Sequence, residues 1–194
     1  MSNPLLEHHT LPPFSGIRCA DIEPAVRQLI AHNKLAIEKI LTANSRYSWD
    51  NLWQPIEQME DELAQAWSPV SHLNSVANNK ELREAYNTCL PLLSEYSTWS
   101  GQHSGLYEAY KQIAESAEYS SLDSAQQKAL DNVLRDFRLA GVALPEEQKQ
   151  RYAQLRKRLS ELGSQFSDNV LDATNAWRKQ VTVEQLAGLP DSAL

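Results

Sequence analysis

The chain has 194 residues, 42% of them hydrophobic and 22% charged, with a formal charge of −7. That length suits one core burying roughly 70% of the unfolded surface, and the composition excludes a disordered chain. The acidic balance excludes nucleic acid as a partner, because binding a phosphate backbone needs a concentrated positive surface.

Residues 1–20 read as an extended arm. Met1–Pro13 is polar, carries His8 and His9, and does not fit a signal peptide. Leu11-Pro12-Pro13-Phe14 resists helix formation. A helical body is expected over 21–179. Its first apolar stripe is Ile22, Val26, Leu29, Ile30, Ile37, Ile40 and Leu41, at steps of three and four that place them on one helix face. Asp21 and Pro24 suit the start of that helix.

A second helix is expected after Ser48, through Leu52, Ile56, Met59, Leu63 and Trp67, with Pro55 predicting a kink or a late start. Ser68-Pro69 reads as a cap and first helical position, opening a separate short helix with Val70, Leu73 and Val76. Asn78-Asn79 breaks the chain before a long stripe from Leu82 to Ile113. Pro91 should bend that stretch, and Gly101 or Gly105 divide it. A further helix follows Ser121, with Leu130, Val133, Leu134 and Phe137 inward and Gly141 as its stop.

The last helix, from about Pro145 to Trp177, carries Tyr152, Leu155, Leu159, Leu162, Phe166, Val170, Ala173 and Trp177, close to a heptad seam. The reading is packing inside a bundle, the other helices supplying enough apolar surface to cover the seam. Its basic residues Arg151, Arg156, Lys157 and Arg158 are diluted by Glu146, Glu147 and Glu161, as on a solvated face. Residues 180–194 read as an extended segment, a turn, and the capped first turn of another helix at Asp191–Leu194. A helix that stops within a turn cannot recover its nucleation cost, so the chain is expected to be cut there. The fold class is all-α: a multi-helix bundle of long, kinked antiparallel helices with an extended N-terminal arm and a truncated C-terminal end. No stretch approaches the roughly 18 apolar residues of a membrane span. Cys19 and Cys89 lack metal-ligand spacing and fit reduced thiols in a cytoplasm.

The search for chemistry finds no catalytic and no metal residues. None of the five histidines is followed by Glu, so H-E-x-x-H is missing, and His8-His9 is a poor chelate. Gly101-Gln102-His103-Ser104-Gly105 is not G-x-S-x-G and reads as a helix junction. Glu57, Glu60, Asp61 and Glu62 read as a wet helix face. The five tryptophans read as core packing.

Several blocks resemble the thimet oligopeptidase family of zinc metallopeptidases. They are Asn3–Leu6 with Leu11–Phe14, Trp67–Val76, Glu81–Tyr86, Leu90–Trp99, Arg135–Phe137, and Leu144–Glu146 followed by Arg151, Leu159, Glu161-Leu162, Phe166 and Asn169–Thr174. The resemblance covers essentially the whole chain, in register. It implies a larger cytoplasmic enzyme that cuts short peptides, with zinc held by H-E-x-x-H and a further glutamate in a C-terminal catalytic domain absent here. No cofactor and no catalytic residue then belong to this chain, which should be inactive alone; residues 180–194 would begin the connection. The resemblance also implies that the N-terminal part forms a helical wall of a substrate channel. His72, Asn74 and Tyr96 are candidates for its polar lining, against the alternative of buried helix contacts. The exposed docking face is expected to drive some self-association. The competing reading is a stand-alone helical protein-interaction module.

Overall fold

The computed structural model describes residues 3–190 and Ser192. Its six α-helices are α1 (Cys19–Ala43), α2 (Gln54–Val76), α3 (Lys80–Gly101), α4 (Ser104–Ala114), α5 (Ser124–Leu139) and α6 (Glu146–Ala176), with no strand among the described residues. The fold class is therefore all-α. The chain divides into two compact units, Met1–Glu161 and Leu162–Leu194.

Local chemistry sets the helix starts. Asp21 accepts from the Arg18 backbone N–H and guanidinium at the head of α1. Asn79 Oδ1 accepts from the Leu82 N–H at 2.9 Å, and Asp123 and Gln126 exchange bonds of 2.8 and 3.0 Å. Such caps contribute about 1 kcal/mol each. The helix expected after Ser121 begins slightly later, because Asp123 is the better-placed acceptor and Ala117–Ser121 forms a 3₁₀ turn. Ser48 caps as expected, with Oγ accepting from Asn51 N–H at 3.1 Å. Pro55 then delays the α-helix: Trp49–Trp53 is a single π-turn, and α2 starts at Gln54.

Ser68-Pro69 does not open a new helix. α2 runs through it, with Pro69 inside. An internal proline costs about 3 kcal/mol. Ile56, Met59, Leu63, Ala66 and Val70 are all buried along this helix, and a fully buried large aliphatic contributes about 1.5–3 kcal/mol. Keeping the stripe in register wins. α3 likewise passes through Pro91 without a break.

The first unit holds two apolar clusters. One gathers Ile37, Leu52, Ile56, Met59, Leu106, Ile113, Leu130 and Phe137 from α1, the π-turn, α2, α4 and α5. The other gathers Leu5, Ile22, Val26, Val70, Leu82 and Cys89 from the arm, α1, α2 and α3. The arm is pinned by Leu5, 6% exposed, within the short turn Pro4–Leu6. Gly141 closes α5 at φ +83°, with the Val142 N–H donating to the Phe137 carbonyl at 3.1 Å. That bond and Gly141 N–H to the Arg138 carbonyl make a Schellman stop.

The seam of α6 is a correction. The helix exists, but none of its residues is buried, and Leu155, Leu159, Leu162, Phe166 and Val170 are all at least 44% exposed. The inward faces of α1, α2, α4 and α5 are packed on one another. In the second unit, Glu184–Leu186 is a 3₁₀ turn. The helix start expected at Asp191–Leu194 lies largely outside the described residues.

Candidate functional site

The most chemically loaded place in the first unit is where α1, α2 and α3 meet. Glu60 lies four residues after buried Ile56 on α2, which turns it inward. Tyr96 of α3 is 4% exposed, and its hydroxyl donates to Glu60 Oε1. Asn33 of α1 is fully buried; its Nδ2 donates to the Met59 carbonyl at 3.2 Å, while Oδ1 has no hydrogen-bond partner among the described residues. Lost hydration pushes the Glu60 carboxyl above its ordinary range, Tyr96's bond opposes this, and the Glu57 charge adds to it. The Tyr96 phenol is raised by desolvation first, then by Glu60's hydrogen bond and charge. Tyr96 therefore stays protonated and is held as a donor.

Glu60 lines a cleft of about 440 Å³, and Tyr96 stands behind it, joined through the hydrogen bond to Glu60. Ile37, Ile56, Leu106 and Phe137 give it an apolar floor, and Glu57, Glu60, Asp136 and Arg156 give it charge. Tyr110 and Tyr152 also line it. Such a surface can seat an apolar side chain while holding a charged group at the rim.

The three predicted lining residues do not come together. His72 lies twelve residues along α2 from Glu60, about 18 Å at the helical rise. Its exposed ring stands 5.5 Å from that of Phe14. Asn74 is half-buried, and its Oδ1 accepts from Asn78 Nδ2 at 2.7 Å. None of the three lines the Glu60 cleft; Tyr96 is linked to it through its hydrogen bond to Glu60. Sequence reading missed Asn33, although a polar residue inside the Ile30–Ile37 stripe was a signal. It also placed Glu60 with the wet face: Glu57, Asp61 and Glu62 are exposed, but Glu60 is half-buried.

Other motifs resolve into structure. His103 caps α4, Nδ1 accepting from the Leu106 N–H at 3.1 Å and Nε2 facing Glu38 Oε1 at 3.0 Å, so the Gly101–Gly105 stretch is a helix junction. His9 Nε2 lies 2.9 Å from the Pro4 carbonyl. Trp53, Trp67 and Trp99 pack against the two clusters and Trp49 stacks on Trp53 at 4.6 Å, whereas Trp177 is 68% exposed. Among the described residues no three His, Cys, Asp or Glu side chains gather as a metal ion would require. The residues present thus do not fit a zinc site. No described helix is long and apolar enough to cross a membrane.

Comparison with known proteins supplies the context. A family model described as Neurolysin/Thimet oligopeptidase, N-terminal domain, matches residues 26–149. Oligopeptidase A of Haemophilus influenzae is 56% identical over 195 residues, covering 100% of this chain and 28% of the relative. Oligopeptidase A of Salmonella typhimurium and of Escherichia coli are each 53% identical over 100% of this chain and 29% of their own length. An organellar oligopeptidase A of Arabidopsis thaliana is 34% identical, again over 100% of the chain. The chain thus spans less than a third of the bacterial relatives it matches, at their N-terminal part. It belongs to the neurolysin and thimet oligopeptidase family, as an N-terminal domain.

Proposed function

We propose that this chain is the non-catalytic N-terminal helical domain of a zinc metallo-oligopeptidase that hydrolyses short peptides, and that it forms one wall of the substrate channel. The carrying observation is the match at 53–56% identity over the entire chain to the N-terminal 28–29% of oligopeptidase A. Zinc and the water-activating group would be supplied by the part that follows. A wall of packed helices beside the metal admits short chains and keeps folded proteins from it.

Within this reading, the Glu60 cleft is the part of the wall best suited to a peptide. Its carboxylates suit a peptide ammonium or basic side chain, and Arg156 suits a carboxylate. Tyr96 acts there as a positioning residue, holding Glu60. His72 and Asn74 remain proposed lining residues at a separate place, His72 offering the more accessible ring. The two free thiols fit a reducing, cytoplasmic compartment.

The test is a full-length hybrid in which this chain precedes the C-terminal remainder of Escherichia coli oligopeptidase A. It should hydrolyse short peptides and lose that activity to a chelator, while the chain alone stays at background. Glu57→Gln in the hybrid should raise KM several-fold for peptides with a basic residue and leave kcat unchanged. A hybrid that folds without peptidase activity would overturn the reading. The unburied face of α6 favours a second reading, a stand-alone helical interaction module; an inactive hybrid together with a captured partner would support it.

A further inference from the structure

We propose that the apolar face of α6 is the surface on which the C-terminal remainder of the full-length protein docks. The inference rests on the reading of this chain as the N-terminal domain of a larger enzyme, and adds which element makes the joint.

Helices α1 to α5 each bury three or more side chains, whereas α6, with 31 residues, buries none. Leu155, Leu159, Leu162, Phe166 and Val170 are 54%, 61%, 44%, 71% and 50% exposed. Steps of four, three, four and four keep them within about 80° of the helix circumference and run them about 22 Å along it. An apolar seam of that length left in water marks an interface. A second observation is Gly163, inside the same helix. A Cβ added there would meet nothing within 4 Å, so no contact in this chain explains a residue that weakens a helix. A partner approaching closely at that point would explain it.

Two facts choose the occupant. The N-terminal-domain match ends at residue 149, four residues into α6, so the seam lies beyond the family's own boundary for this domain. The relatives that match the whole chain at 53–56% identity carry more than two-thirds of their length outside it.

Hydrogen–deuterium exchange on the chain alone and on the hybrid described above tests this. Amides between Leu155 and Ala173 should exchange at least tenfold more slowly in the hybrid, with α1 to α5 changed little. Equal rates would overturn the proposal. So would protection already present in the chain alone that rises with concentration alongside a dimer in light scattering, which would give the seam to a second copy. The double variant Leu159→Glu, Phe166→Glu should leave the helicity and melting temperature of the chain alone unchanged and remove the protection in the hybrid; a lowered melting temperature of the chain alone would show that the seam is already covered. An active hybrid with α6 unprotected would sink this inference and leave the function standing. Protection without turnover would do the reverse.

Discussion

Helices α5 and α6 follow one another and carry the same kind of pattern, apolar residues at three- and four-residue steps. In α5 those residues are Leu130, Leu134 and Phe137, at 0%, 7% and 6% exposure. In α6 they are Leu155, Leu159 and Phe166, at 54%, 61% and 71%. The difference lies opposite the helices, not in them. α5 faces Ile113, Tyr110 and Leu106 of α4, and its C-terminal stop folds Val142 back under Phe137. α6 buries none of its described residues. Periodicity selects which side of a helix is apolar; it carries no information about which polypeptide covers that side.

The largest effect that should separate the two helices is truncation of one leucine in each. Leu130→Ala should cost about 3 kcal/mol, because it leaves a cavity in a closed core. Leu159→Ala should cost under about 0.5 kcal/mol in this chain, since the side chain is mostly in water. Urea denaturation measures both, and equal losses would erase the contrast. Next in size is Tyr96→Phe, which strands the half-buried Glu60 carboxylate and should cost about 1–3 kcal/mol; Leu92→Met, beside it on α3, is the control for mere repacking. The glycines should move in opposite directions. Gly141→Ala forces a side chain at φ +83°, 2.5 Å from Leu144 Cδ1, and should destabilise by about 1 kcal/mol or more. Gly163→Ala in open space should stabilise the chain by about 0.5–1 kcal/mol.

The smallest effect is a pH dependence. The folded-state pKa of Glu60 is raised, chiefly by burial, so the folded state holds its proton more tightly than the unfolded one. Stability relative to Glu60→Gln should therefore increase as pH falls towards and through that raised value, and the difference should level off below the unfolded pKa. Asp21 runs the other way. Its hydrogen bonds from Arg18 hold its pKa low, so its contribution is present above the ordinary aspartate range and lost as pH falls. Paired melting curves for E60Q and Asp21→Asn, carried from neutral pH down to below the ordinary aspartate range, would show opposite slopes. Thiol labelling gives a further check: Cys89 is fully buried with its thiol pushed up to about 11, and should react only on unfolding.

Much of the first unit was legible along the chain, because caps and stops act over a few residues. Ser48, Asn79 and Gly141 do what their types and positions imply. Where reading went astray, a distant contact decided. Ser68-Pro69 has the local chemistry of a helix start, yet Ala66 and Val70 are held in one buried register by α1 and α3. Glu60 belongs by sequence to an acidic run, and only the approach of Tyr96 from α3 sets it apart.

The sequence by itself determined that the protein is helical, where most of its helices begin and end, and, through identity spread over its whole length, which family it belongs to. Only the tertiary structure decided which polar groups meet at the α1–α2–α3 junction and which apolar side chains are exposed. The physical reason is range: hydrogen-bonded caps and side-chain period are properties of neighbouring residues, whereas burial is a property of pairs of surfaces. A surface whose partner lies in another stretch of polypeptide looks the same on paper as one that is already covered.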